Sequence, residues 1–336
     1  MIDLSTTYLG LALNNPLVPS SSPLSRSLDP VLHLEDAGAA AIVMYSLFEE
    51  DVRQEEAMLD RFLLHPETFG ESSGHLPQGV SYQSKLDQYL EQIQLLKSRL
   101  SIPVIASLNG TALDGWVELG RELQAAGADA LELNAWFMAS DPELPGAVLE
   151  QRYMELLHAL KAVVTIPVAM KLSPFFSSLP HFVRQAEQAG AAGVSLFNRF
   201  FQPDIDLATL SVVDRVQLST SADTLLTMRW IAVLRGRTRL SLAATGGVHT
   251  GEDALKMLLA GADVVHMASA LLRGGPPALT RVLTEMREWM ETREYESVSQ
   301  LKGSMSQQNL PDPSAFARAA YVNALNTFAP PEGVRY

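Results

Sequence analysis

Four times along the chain, a phrase of small residues separates an amphipathic stretch from a short apolar run. Asp36-Ala37-Gly38-Ala39 precedes Ala41-Ile42-Val43-Met44, and Ala126-Gly127-Ala128-Asp129 precedes Ala130-Leu131-Glu132-Leu133. The other two are Ala189-Gly190-Ala191 before Gly193-Val194-Ser195-Leu196, and Ala260-Gly261-Ala262-Asp263 before Val264-Val265-His266-Met267. Glycine at the first position past a helix can take the left-handed conformation that closes the last turn, and an unbroken apolar run suits a strand covered on both faces. The repetition predicts successive αβ units.

Further strands are expected at Leu17-Val18-Pro19-Ser20, Pro103-Val104-Ile105-Ala106, Pro167-Val168-Ala169-Met170 and Leu240-Ser241-Leu242-Ala243. Eight strands alternating with helices predict an α/β fold of the closed (β/α)8 TIM-barrel type. An open doubly wound sheet is the alternative, disfavoured because no Gly-x-Gly-x-x-Gly follows the first strand. Residues 1–303 are expected to form the barrel as one domain. Residues 304–336 are expected to form an extension with a short helical pattern, Ala315 to Val322, packing on the barrel or on a second subunit. Two long connections, 47 to 83 and 199 to 222, are expected at the strand C-terminal ends, where such loops cover an active site.

Composition narrows the function. A net charge of -13 repels nucleic acid and anionic membrane surfaces, and no Lys/Arg-rich run offsets it. The chain has no cysteine, which excludes disulfides, thiolate metal sites and a cysteine base. No apolar stretch approaches the roughly 18 to 20 residues needed to span a bilayer, and the opening residues lack a basic and then apolar leader pattern. The reading is a cytosolic enzyme with a small-molecule substrate, no metal, no nucleic-acid or membrane partner, and a homodimeric assembly.

The strongest local signal is Ala244-Thr245-Gly246-Gly247-Val248-His249-Thr250-Gly251-Glu252-Asp253, a strand running into glycines and then into an acidic first helical turn. With the later strand end Ala268-Ser269, it forms the paired loops at which barrels of this kind hold a phosphate. Two ordinary αβ turns would leave the same local pattern.

These segments, together with Leu4-Ser5-Thr6-Thr7-Tyr8-Leu9-Gly10-Leu11, Asn15-Pro16-Leu17-Val18, Leu218-Ser219-Thr220-Ser221-Ala222 and Tyr295-Glu296-Ser297-Val298, resemble the dihydroorotate dehydrogenase family. The likeness runs over most of residues 4 to 303 and is greatest to the class 1 branch and its dehydrogenase-like relatives. It implies an FMN-dependent oxidoreductase acting on a CH-CH bond, in pyrimidine biosynthesis if the substrate is dihydroorotate. Lys171, in Met170-Lys171-Leu172-Ser173-Pro174, matches the family's flavin lysine, although a rim lysine with a snorkelling stem reads the same locally. Asn134 matches the asparagine between flavin and substrate, and Asn198 matches a substrate-binding one. Ser20, Ser21 and Ser46 fall at small positions beside the flavin, and Gly246, Gly247, Val248, Ala268 and Ser269 fall at its phosphate.

The family pattern breaks in three places. Tyr45 stands where members carry a lysine that touches flavin and substrate, so a fixed positive charge is missing there. Phe137, three residues past Asn134, stands where members carry the Cys or Ser base, leaving Ser140 or Tyr45 as a substitute base, or a different substrate. The substrate loop has only an approximate counterpart at Ser72-Ser73-Gly74. Trp136 and Phe137 are read as either an apolar lid over the flavin or simple packing. A phosphate-binding isomerase or aldolase with Lys171 as base or Schiff-base amine is the competing enzyme class, and a flavin-bearing protein with little turnover is the third reading.

Overall fold

The computed structural model describes residues 2–64, 83–110, 113–135, 137–199, 202–213 and 216–329. Eight parallel strands form one sheet: β1 (Leu17–Pro19), β2 (Ile42–Phe48), β3 (Val104–Gly110), β4 (Ala130–Ala135), β5 (Val168–Leu172), β6 (Gly193–Leu196), β7 (Ser241–Thr245) and β8 (Val264–Met267). Their order is β1-β8-β7-β6-β5-β4-β3-β2. The ends of the sheet meet where the Ala40 N–H donates to the Leu17 carbonyl at 3.0 Å, so the sheet curls into a (β/α)8 barrel and not the open alternative.

All eight expected strands are present, and the repeated phrase explains why. Gly38, Gly127, Gly190 and Gly261 have φ of 102°, 104°, 95° and 127°, a region a side chain strongly disfavours. Each reverses the chain at a helix end so that the apolar run behind it enters the sheet.

Strand alternation sorts the barrel into layers. Leu131 and Leu133 of β4 join the core shared with the helices, while Val18, Val43, Ile105, Ala169, Ala243 and Val264 fill an apolar floor inside the barrel. An N-terminal hairpin, Thr6–Tyr8 paired with Leu11–Leu13, plugs that floor with Tyr8, Leu9 and Leu13. Its place is fixed by the Thr6 hydroxyl donating to the Asp263 carbonyl at 2.9 Å and the Leu9 N–H donating to Ser241 Oγ at 3.0 Å. Above the floor the interior turns polar, with Ser107, Glu132, Lys171, Ser195 and His266 all buried.

The described parts of the two long connections carry regular structure. The first holds a helix, Glu49–Leu64, whose Glu49, Glu50 and Asp51 place acidic groups at the positive end of the helix dipole. Residues 65–82, including the expected substrate-loop counterpart Ser72-Ser73-Gly74, lie outside the described residues. The second contains an antiparallel hairpin, Asp204–Asp206 with Ser211–Val213. Beyond the barrel, the N–H groups of Gly303, Met305 and Gln307 donate to the carbonyls of Leu258, Leu259 and Ala232, laying the start of the extension across two barrel helices. A 3-10 turn, Pro313–Phe316, and a helix, Arg318–Asn326, follow. Among the described residues, no helix is long and apolar enough to cross a membrane.

Candidate active site

Two connected chambers open at the C-terminal ends of the strands, with volumes of about 390 and 230 Å³. They share Ser21, Lys171, Asn198 and Arg199. Tyr45, Ser46 and Asn134 line the larger chamber, and Ser20, Gly246, Gly247, Val248, Ala268 and Ser269 line the smaller. Residues spread over more than 240 positions of sequence are thus brought together, as the parallel barrel requires of strand ends.

The smaller chamber is built on the turn after β7. Gly246 and Gly247 have φ of 99° and 81°. A Cβ on Gly247 would come within 2.6 Å of the Thr224 amide nitrogen, so packing forbids any side chain there, whereas a Cβ on Gly246 would meet nothing within 4 Å. The first glycine therefore faces the open chamber and the second locks the turn against its neighbour. Ser219 joins the two loops of this chamber: its Oγ accepts from the Gly247 N–H at 3.3 Å, and its own N–H donates to Ser269 Oγ at 3.0 Å. Arg273 donates to the Ser219 carbonyl at 2.9 Å, adding positive charge beside the chamber. Ser219 and Arg273 were not among the expected site residues. Ser219 lies in the segment Leu218-Ser219-Thr220-Ser221-Ala222, but its bonding to Gly247 and Ser269 is long-range.

In the larger chamber, a register shift in β2 between Val43 and Ser46 breaks strict alternation, so the neighbours Tyr45 and Ser46 both reach the lining. Ser46 Oγ lies 3.1 Å from Ser21 Oγ and 3.0 Å from Ser107 Oγ, a hydroxyl chain that fixes these small residues at the chamber floor. Tyr45 packs edge-on against buried Tyr89 with ring centroids 4.8 Å apart. Burial raises the Tyr45 phenol pKa above its ordinary value, with the Arg26 charge pulling the other way. Three carboxamides, Asn109, Asn134 and Asn198, line this chamber, and none hydrogen-bonds to another described residue. Asn134 is buried, where an amide is almost always partnered, and with half-buried Asn109 and Asn198 it offers free donors and acceptors to a ligand with polar ring edges. Asn109, the penultimate residue of β3, was not among the expected site residues.

Beneath the junction of the chambers lies a buried ion pair. Lys171 Nζ is 3.1 Å from Glu132 Oε1, with side-chain exposures of 7% and 1%. His266 Nδ1 stands 3.9 Å from Glu132 Oε2, and neither of its ring nitrogens hydrogen-bonds to a described residue. Desolvation pushes the His266 pKa down to about 4, outweighing the opposing pull of Glu132, so the ring is neutral at pH 7. The rim reading of Lys171 does not hold, because its ammonium points inward to Glu132. Glu132 and His266 were not among the expected site residues, although each interrupts an apolar strand at an inward position.

His266 links this cluster to stability. In the unfolded chain an imidazole takes a proton near its ordinary 6.5, while the folded one resists until about 4, so lowering the pH through that window favours unfolding. At pH 5 the expected loss is about 2 kcal/mol relative to neutral pH. Thermal melts between pH 7.5 and 5 should show a shallower loss for His266→Gln than for the unaltered protein. Equal slopes would contradict a neutral buried His266.

The expected bases are placed differently. Tyr45 lines the larger chamber, whereas Ser140 is exposed, lines neither chamber and donates its N–H to the Met138 carbonyl at 2.9 Å. Phe137 also lines neither chamber. Its ring packs edge-on to Tyr153 at 4.8 Å, beside Phe182 and Phe176, which favours the packing reading over the lid reading for this residue. Trp136 lies outside the described residues.

The family model described as dihydroorotate dehydrogenase matches residues 3–290. The chain is 28% identical over 311 residues to the protein of Thermoplasma acidophilum named dihydroorotate dehydrogenase B (NAD(+)), catalytic subunit, covering 90% of this chain and 99% of that one. It is also 28% identical over 295 residues to dihydroorotate dehydrogenase A (fumarate) of Lactobacillus delbrueckii subsp. bulgaricus, covering 80% and 88% of the two chains. Dihydroorotate dehydrogenase A (fumarate) of Lactobacillus helveticus is 26% identical over 327 residues, covering 91% and 99%. With the family match spanning nearly the whole barrel, this chain belongs to the dihydroorotate dehydrogenase family of flavoprotein oxidoreductases acting on CH-CH groups.

Proposed function

We propose that the protein holds FMN across the two chambers and oxidises a CH-CH bond of a small cyclic substrate, dihydroorotate or a relative of it. The observation that carries this reading is Lys171, which borders both chambers and is held by Glu132 at 3.1 Å between a glycine-lined pocket and a group of free carboxamides. When bound, FMN supplies the hydride acceptor. The turn at Gly246 to Val248, with Ser269 opposite, would hold its phosphate. Lys171 would place a cation at the ring to stabilise negative charge on the reduced form, and Asn134 would bridge ring and substrate.

The ion pair also argues against the isomerase or aldolase reading. A Schiff-base lysine must present a free amine lone pair, and an ammonium committed to a buried carboxylate does not. Since the chain has no cysteine, it cannot itself ligate an Fe-S cluster, so the electrons would pass to a separate acceptor.

We further infer a cytoplasmic homodimer. The hairpin of Asp204–Asp206 and Ser211–Val213 exposes Ile205, Leu207, Leu210 and Val212, an apolar edge suited to cover by a second copy.

The test is direct. Heat-denatured protein should release FMN and no FAD, because the smaller chamber would hold one phosphate and the sequence has no Gly-x-Gly-x-x-Gly of a dinucleotide site. Under anaerobic conditions the flavin should bleach with a cyclic CH-CH substrate. Release of FAD, or of no flavin, would contradict the proposal.

A further inference from the structure

The charges around the larger chamber are one-sided. The chain carries 38 acidic and 25 basic residues, yet among the described residues this lining holds three basic side chains, Arg26, Lys171 and Arg199, and no carboxylate. Two of the three are paired: Lys171 with Glu132 at 3.1 Å, and Arg199 with Asp223 at 3.6 Å. Arg26 makes no ion pair or hydrogen bond with any other described residue. Its guanidinium carbon instead sits 5.2 Å from the centre of the Tyr45 ring.

That placement is built from the backbone up. Arg26 ends a 3-10 turn, Pro23–Arg26, directly after the Ser20 to Ser22 segment, and the proline pre-sets the turn. The preceding residue, Ser25, is buried, and its Oγ accepts the Tyr45 N–H at 2.6 Å. The Gln92 amide donates to the Ser25 carbonyl at 3.2 Å. The turn is thus bonded to the same residue on which its arginine stacks, and Tyr45 is backed in turn by Tyr89. A cation held on an aromatic face keeps its fork of N–H donors free, unlike one neutralised by a carboxylate.

We propose that Arg26, supported by Tyr45, is the element of the larger chamber that grips the carboxylate of its substrate. The proposal rests on the reading of the larger chamber as the substrate side of the flavin. An uncompensated guanidinium at the mouth of a partly enclosed chamber attracts anions and can grip a carboxylate through two parallel hydrogen bonds. The free carboxamides deeper in the chamber then read the polar edges of the ring. The positive charge missing at position 45 is in this way supplied from another element of the fold, which changes the direction from which the acid is held.

The test compares anionic ligands with neutral counterparts. Binding of orotate and uracil, nicotinate and nicotinamide, and benzoate and benzamide is measured by calorimetry on the flavin-loaded protein, with flavin content determined for each sample. Loss of a charge-assisted contact corresponds to roughly 10- to 100-fold in affinity. In the unaltered protein at least one acid should bind at least about 10-fold more tightly than its neutral partner. Arg26→Gln should remove that margin without weakening the neutral ligand, and Arg26→Lys should keep part of it. A margin unchanged in Arg26→Gln, or no acid favoured over its partner in the unaltered protein, would overturn the proposal. Protein isolated without flavin would instead overturn the FMN reading on which it rests.

Discussion

Replacing Lys171 with alanine is expected to abolish or greatly slow flavin reduction and to destabilise the barrel as well. The chemical loss follows from removing the cation at the junction of the chambers. The loss of stability follows from Glu132, whose side chain is 1% exposed and would be left as a buried carboxylate beside the neutral His266. Breaking a buried pair by deleting one partner typically costs about 3 to 5 kcal/mol, whereas replacing both charges with neutral groups of similar size is often close to neutral. The double variant Lys171→Met with Glu132→Gln should therefore recover most of the stability lost in the single variant, while flavin reduction stays impaired. Denaturant melts and anaerobic reduction of the same samples separate the two effects. Unchanged reduction kinetics in Lys171→Ala would remove Lys171 from the active site. A double variant no more stable than the single one would show that Glu132 is not charged in the folded protein.

Turnover of dihydroorotate is expected to be at least about 100-fold below that of a family member with its Cys or Ser base, the lower bound usual for acid-base catalysis. The residue at the matched position, Phe137, cannot accept a proton and faces away from both chambers, into the ring cluster with Tyr153. Phe137→Ser should therefore give no gain in dihydroorotate oxidation, and should lose up to about 3 kcal/mol of stability because the aromatic packing is not refilled. Steady-state rates and melts on the variant check both halves. A large gain in rate would mean that this segment swings over the chamber during turnover and that the pocket lacks only its base. Ordinary rates in the unaltered protein would point to another group, Tyr45 at the chamber wall or Ser140 in the adjoining segment, and Tyr45→Phe and Ser140→Ala would tell them apart.

Much of this architecture is legible in the chain itself, because the barrel is written in local signals. A glycine that must adopt positive φ, followed by an apolar run, marks a helix end and a buried strand wherever it occurs, and four such phrases place half the sheet. The Gly246-Gly247-Val248 turn is legible for the same reason. The polar layer inside the barrel was only partly read. Lys171 ends a recognisable strand phrase, but Glu132 and His266 lie within apolar runs, and their meeting depends on β4, β5 and β8 closing on one another. Arg26 is harder still, because its role follows from a stack on a residue 19 positions away. The second long connection hides a hairpin, although Asp204-Ile205-Asp206 carries the period-two alternation of a strand, since its outward apolar residues read as loop when no core covers them.

The central claim is that these chambers join FMN to a cyclic acid. The most direct measurement is an anaerobic titration of the purified yellow protein with a panel of dihydropyrimidines, with and without a ring carboxylate, followed at the flavin absorbance band. The account predicts that bound FMN bleaches with a carboxylate-bearing member of the panel, slowly if that member is dihydroorotate, and that it responds more weakly to uncharged ones. A flavin that dithionite reduces but that no member of the panel bleaches, or a protein that carries no FMN, would contradict it.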